Sequence, residues 1–250
     1  MKRVVTGPRA VVEALRARGS EVHAVYVQPE ARKALGDVAR EAKKRNVALE
    51  ERPHEALDAL AKGHKHQGVV AITGAYPYVD LPTVLERAAS PPLLVALDQI
   101  TDPHNFGAIV RSAVAFGADG VLTLKRRAAP VTPVVVRASA GATEHARIAR
   151  ITNLARTLAE LADRGWSVVG LDAGGGVDVS ALPPAPEGRV LVVGAEGKGL
   201  RRLVRERCTE LARIDQRGPV ASLNASVAAS IALFCCRGAR FATGQRSADP

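Results

Sequence analysis

Aromatic side chains make up only 3% of the 250 residues, with one Trp, three Tyr and four Phe. That scarcity argues against a single-strand nucleic-acid platform of the kind that stacks bases on exposed rings. Cysteine is just as sparse: Cys208, Cys235 and Cys236, an odd number, two of them adjacent, with no CxxC. Such spacing argues against a disulfide framework and a zinc ribbon. The three read instead as small apolar residues in a reducing compartment. No run approaches the length of about 18 consecutive apolar residues that a membrane-spanning helix needs. The start, Met1-Lys2-Arg3-Val4-Val5-Thr6-Gly7-Pro8, carries the charge of a signal peptide without its apolar centre, so a cytoplasmic protein is expected. Common nucleotide signatures are missing as well. No GxxxxGK[ST] fits residues 194–199, and Gly174-Gly175-Gly176 does not fit GxGxxG. His64 and His66, only two residues apart, read as solvated side chains rather than ligands, and no metal site is expected.

What is abundant is positive charge. Lys and Arg number 35 against 25 Asp and Glu, a formal net charge of +10. The excess is shared along the chain: 15 basic against 11 acidic side chains over residues 1–90 leave +4, and 20 against 14 over 91–250 leave +6. No isolated basic tail carries it. An anionic partner is implied, and nucleic acid is the usual one, because each neutralised phosphate releases counterions.

The chain divides by pattern. Residues 1–76 alternate short elements: helices over 8–18, 31–46 and 54–61, and strands over 23–28, 47–51 and 68–73, a compact α/β unit. Prolines at 77, 82, 91 and 92 mark a linker over 77–92 that includes a short helix. From Leu93 onward longer βα alternation follows. Strands are expected over 93–97, 120–124, 166–171, 189–193 and 211–214, and helices over 106–116, 154–164, 200–208 and 223–237. Near-continuous apolar strands between helices argue for a buried parallel sheet over 93–242. Residues 243–250 read as a flexible tail.

Three polar clusters stand at the carboxyl ends of apolar strands, the edge where open α/β sheets bind ligands. The first, Asp98-Gln99-Ile100-Thr101-Asp102-Pro103-His104-Asn105-Phe106-Gly107, leads to Arg111, with Asn105 suited to cap the following helix. In the second, Gly194-Ala195-Glu196-Gly197-Lys198-Gly199, glycines around one glutamate imply close backbone approach. The third is Gly218-Pro219-Val220-Ala221-Ser222-Leu223-Asn224-Ala225-Ser226. Read alone, each cluster serves equally well as a cap or a tight turn.

Together the clusters resemble the three motifs of the SPOUT superfamily, in its TrmH/SpoU branch of RNA ribose 2′-O-methyltransferases. Asn105, Gly107 and Arg111 match the first motif; Gly194, Glu196, Gly197 and Gly199 the second; Ser222, Leu223, Asn224 and Ser226 the third. The likeness spans about residues 4–241. Stretches 65–71 and 151–157 look most like the branch that methylates a guanosine of 23S ribosomal RNA. The resemblance implies an α/β fold: a C-terminal parallel-sheet domain with a deep trefoil knot, plus a small N-terminal ribosomal-protein-like RNA-binding domain. It also implies S-adenosylmethionine as cofactor, ribosomal RNA as partner and a homodimer. By the same resemblance Arg111, Asn105, Glu196, Ser222 and Asn224 are catalytic candidates. Gly194, Ile214, Leu223, Glu196, Gly197 and Ser222 would line the cofactor site. Arg9, Lys62, Lys65, His66 and Arg111 are candidates for RNA contact. Transfer RNA or another ribosomal site remains an alternative acceptor, and a non-catalytic RNA-binding role an alternative class. One departure stands out: Asp215-Gln216 follows Ile214 where the family usually has Pro-Met.

Overall fold

A computed structural model describes residues 2–219 and 222–236. The expected tail over 243–250 lies outside the described residues. Residues up to Pro77 together with Pro130–His145 form one compact unit, and Tyr78–Ala129 with the residues from Ala146 onward form another.

In the first unit β1 (Arg3–Thr6), α1 (Pro8–Arg18), β2 (Val22–Val27), α2 (Gly36–Lys44), β3 (Leu49–Glu51), α3 (His54–Ala61) and β4 (Val69–Thr73) follow in order. The strands pair as β1-β4-β2-β3, antiparallel except for β2 with β3. Alternation along a strand sends successive side chains to opposite faces. Val5, Val69 and Ala71 join Val11, Leu15, Leu35 and Val38 in one core. Val4, Val70 and Ile72 pack instead with Leu57 and Ala61 of α3. The single helix expected over 31–46 begins as a 3-10 turn, Pro29–Leu35, and becomes α-helical only at Gly36. The four-residue β1 escaped the sequence reading, being too short for a period to show.

Residues 130–145, which the sequence reading leaves with the C-terminal domain, complete this first unit. After the second unit's α4 (Leu81–Glu86), β5 (Leu93–Asp98), α5 (Pro103–Ala115) and β6 (Gly120–Leu124) comes α6 (Pro133–Ala138), whose Val136 enters the first unit's core. The anchor is Glu144, whose side chain is fully buried. Its Oε1 accepts from Arg3 Nη1 at 2.8 Å and its Oε2 from Arg3 Nη2 at 2.5 Å, while its backbone oxygen accepts from Arg18 Nε at 2.8 Å. Both guanidinium groups lie over the Tyr76 ring, and the Tyr76 hydroxyl donates to the Thr143 oxygen at 2.7 Å.

The second unit continues with β7 (Ile148–Ile151), α7 (Leu154–Ala162), β8 (Ser167–Leu171), β9 (Val177–Asp178), β10 (Arg189–Gly194), α8 (Arg202–Arg205), β11 (Glu210–Arg213) and α9 (Ala225–Cys236). Its seven strands run in the order β7-β6-β5-β10-β8-β11-β9, every pairing parallel. All six residues of β5 are buried, as a strand covered on both faces requires. Leu94, Ala96, Leu122, Val190 and Val192 pack with Leu154, Leu158 and Leu161 of α7. Helix α9 packs against α5 and β10. The helix expected over 200–208 is one turn only, α8.

Replacing one member of a buried pair leaves the other charge without compensation. Glu144→Ala is expected to cost about 3–5 kcal/mol, read as a lower urea midpoint. A loss below about 1 kcal/mol, the worth of an exposed pair, would show that Glu144 does not anchor the segment.

Candidate active site

Strands β5 and β10 are neighbours with Asp98 opposite Gly194 in register. Their carboxyl ends therefore release the first two polar clusters side by side. This is also where the strand order reverses, β5 leading to β6 on one side and β10 lying beside β8 on the other. Asp98 is buried, and its Oδ2 accepts from the Arg201 backbone N–H at 2.9 Å while Oδ1 accepts from Arg201 Nε at 2.7 Å. This clamp had no place among the candidates read from the sequence. Its signal was an acidic residue at the end of an otherwise apolar strand.

Asp102, rather than Asn105, is the N-cap of α5: its carboxylate accepts from the N–H groups of His104 (3.3 Å) and Asn105 (2.9 Å). Pro103 at the first helical position decides this, since its fixed φ and missing N–H suit the start of a helix. Asn105 is thereby free to turn its amide toward the other loops. Its Nδ2 donates to Glu196 Oε2 at 3.2 Å. Asn224 Nδ2 donates to Asn105 Oδ1 at 2.9 Å and lies 3.4 Å from Glu196 Oε1. Asn224 Oδ1 accepts from the Ser226 N–H (2.9 Å) and hydroxyl (2.6 Å), which caps α9. One residue from each cluster thus meets in a single hydrogen-bonded trio.

The loop carrying Glu196 is closed by its own backbone, Gly199 N–H donating to Ala195 O at 2.8 Å. A Cβ on Gly194 would overlap the Gly199 carbonyl, so only glycine fits there. Gly197 and Gly199 take φ of +74° and +63°. Beside this loop lies a cavity of about 340 Å³. Gly194, Glu196, Gly197, Ile214, Ser222 and Leu223, the six residues assigned to the cofactor by resemblance, all line it. The unusual Asp215-Gln216 pair divides. Gln216 lines the cavity, while Asp215 pairs with Arg213 at 2.7 Å.

Other predicted residues stand apart. Arg111 is exposed on α5 with no hydrogen bond or ion pair among the described residues, and the trio does not include it. Six residues beyond Asn105, it lies about 9 Å further along the helix axis and on a different face. In the first unit Arg9, Lys62 and Lys65 are exposed, but Arg9 lines a cavity with Val12 and Glu13 that excludes the two lysines. His66 is buried. Its Nδ1 accepts from the Gly68 N–H at 3.1 Å, which assigns the ring proton to Nε2, 3.1 Å from Asp58 Oδ1. His66 is therefore a structural hydrogen-bonding residue and not a surface contact. The same tautomer places a proton, not a lone pair, between His66 and Asp58, although His54, Asp58 and His66 have ligand atoms within 4.8 Å of one another. Burial pushes the Cys208 thiol up to about 12 and raises Cys236 and Cys235 as well. None supplies a thiolate near neutral pH.

Comparison with known proteins defines the class to which this fold belongs. The SpoU rRNA Methylase family matches residues 92–234, and the RNA 2′-O ribose methyltransferase substrate-binding family matches 4–79. A relative from Mycobacterium avium, named as an uncharacterized tRNA/rRNA methyltransferase, is 48% identical over 92% of this chain and 75% of its own length. Among solved structures, the SpoU methyltransferase AviRb from Streptomyces viridochromogenes in complex with AdoMet superposes with TM-score 0.77 at 27% identity, covering 98% of this chain and 92% of that one. An AdoMet-bound rRNA methyltransferase from Sinorhizobium meliloti gives TM-score 0.75 at 28% identity, covering 94% and 87%. The chain belongs to the SpoU methylase family.

Asn224→Ala removes both the α9 cap and the amide that holds Asn105. Urea unfolding should show a loss of about 1–2 kcal/mol for the cap alone. Unchanged stability would mean that the cap contributes nothing.

Proposed function

We propose that the protein transfers a methyl group from S-adenosylmethionine to a ribose 2′-hydroxyl of RNA, with a guanosine of 23S ribosomal RNA as the acceptor. The observation that carries this reading is the Asn105–Glu196–Asn224 trio beside the glycine-walled cavity. At about 340 Å³ that cavity falls within the ~300–1,000 Å³ of small-molecule sites. Ile214 and Leu223 give it apolar walls suited to a purine ring, while Glu196 and Ser222 add polar groups. Gly194 lets the backbone at Gly199 and Leu200 pack against it, which sets the shape of the loop that walls the cavity.

S-adenosylmethionine supplies, when bound, a methyl group already made electrophilic by its sulfonium. A ribose hydroxyl is a poor nucleophile while protonated, so the protein's share is alignment and charge. The amides of Asn105 and Asn224 fix the Glu196 carboxylate, the one anionic acceptor of the trio. Arg111 brings a planar guanidinium with five N–H donors and no acceptor, which suits an anion. It clamps a phosphate and offsets developing charge rather than removing a proton.

A homodimer fits the surface of the second unit. Val227 and Phe234 on α9 are 46% and 52% exposed, and the Phe234 ring meets Phe116, at the end of α5, edge-on at 6.0 Å. The first unit, with Arg9, Lys62 and Lys65, takes the RNA backbone. The trefoil knot belongs to this reading too, as does a cytoplasmic location. Ribosomal RNA is favoured because the Sinorhizobium neighbour, matched over 94% of this chain, is an rRNA methyltransferase. Transfer RNA is the competing acceptor, since the M. avium relative's name covers both.

The test is methyl transfer from labelled S-adenosylmethionine to unmodified 23S ribosomal RNA, with the product nucleoside mapped. The expected product is 2′-O-methylguanosine. Transfer to bulk transfer RNA alone would overturn the acceptor, and transfer to neither would overturn the reaction. Arg111→Ala should abolish methylation while leaving cofactor affinity, by calorimetry, within about twofold. Gly194→Ala should abolish cofactor binding. The reverse pattern would contradict both roles.

A further inference from the structure

A second cavity, of about 290 Å³, shares Ala195, Glu196 and Lys198 with the first and adds Asn105, Asp102, Gln99 and Arg127. Its charged groups are not equally available. The Asp102 carboxylate is engaged by two backbone N–H groups at the start of α5. The Glu196 carboxylate faces the two amides of the trio. Arg127 and Lys198, by contrast, are exposed and have no hydrogen bond or ion pair among the described residues. The cavity therefore offers two free cations and no free anion.

Nor is Arg127 displayed at random. It takes φ of +58° and Gln99 φ of +60°, two of only six non-glycine residues at positive φ among those described. Side chains other than glycine seldom adopt that region, and residues that do so concentrate at ligand sites. The turn bearing Arg127 is tied to the loop after β5 by Ala129 N–H donating to Ile100 O at 3.0 Å. The guanidinium thus stands on a fixed backbone beside Asn105.

We propose that this cavity receives the acceptor strand, with Arg127 and Lys198 holding the phosphodiester that adjoins the ribose presented to Asn105 and Glu196. This rests on the reading of the first cavity as the methyl-donor site. It assigns the strand a second phosphate clamp, separate from Arg111. Arg127 provides the planar fork for two phosphate oxygens. Lys198, which lines both cavities, places a charge between donor and acceptor. Both act as positioning residues: phosphate contacts set the register of the strand without reading its sequence.

The test uses the full-length protein with Arg127→Gln, Arg127→Lys, Lys198→Gln and the double Gln variant. Binding of unmodified 23S ribosomal RNA is measured across a salt series, alongside cofactor calorimetry and steady-state kinetics. Each single charge loss should lower the slope of log K against log salt by about 0.7–0.9, and KM for RNA should rise about fivefold or more. Cofactor affinity of Arg127→Gln should stay within about twofold, and Arg127→Lys should recover most of the RNA affinity. An unchanged salt slope in the double variant would overturn the assignment, as would loss of cofactor binding in Arg127→Gln. If the wild type binds RNA through these two cations yet moves no methyl group, the phosphate clamp stands and the methyl-transfer reading falls.

Discussion

Asp98 ends a strand whose six residues are all buried, and its own side chain is fully out of water. An ionised carboxylate in that position costs several kcal/mol unless it is paired and hydrogen-bonded. Arg201 meets both demands, through its backbone N–H to Oδ2 and its guanidinium to Oδ1. Because Arg201 lies just beyond the glycine loop, satisfying Asp98 pins the far end of that loop, while β10 pins the near end at Gly194. A loop held at both ends beside β5 must turn sharply. The absence of side chains at 194, 197 and 199 is what lets it do so. Glu196 is carried between these pins to the place where Asn105 leaves the first turn of α5. The meeting of Asn105 with Glu196 thus follows from one buried charge and the register of two strands, and Asn224 joins them from the start of α9.

Commitment of charge then separates what the site uses to hold itself together from what it presents. The carboxylates of Asp98, Asp102 and Glu196 are all engaged within the second unit. Among the described residues, the free charged groups lining the cavity beside them are cations: Arg127 and Lys198. A net charge of +10 on the whole chain says only that some polyanion is attracted. The local pattern says where a polyanion would gain most, since an uncommitted cation need not give up an internal partner to bind.

The three clusters were legible because each sits at the carboxyl end of an apolar run, and such runs are read directly from residue type. The glycine spacing of the second was legible because close backbone approach leaves few alternatives. Other features depend on geometry that no local pattern records. Asp102 and Asn105 are both good caps, and only the position of Pro103 decides between them. His66 lies in a polar stretch, Lys62 to Gln67, that reads as surface. The turn through Gln67 and Gly68, both at positive φ, folds the Gly68 N–H onto its ring and buries it. Arg111 is named readily by motif, yet helix geometry carries it away from the trio it was grouped with.

The membership of residues 130–145 was the least legible feature, because it is decided by partners more than a hundred positions away. Glu144 finds Arg3 across 141 residues and Arg18 across 126. The consequence is covalent. The segment joins β6 to β7 of the methylase sheet, so the chain leaves that sheet, contributes Val136 and Glu144 to the first unit, and returns. The first unit is not an appendage that can be cut away after residue 76. Removing it would strand a buried carboxylate without its guanidinium partners and expose the apolar face of α6. Arg127 lies on the outgoing connection, between β6 and α6. The segment proposed to grip the acceptor strand is thus continuous with the one that completes the first unit.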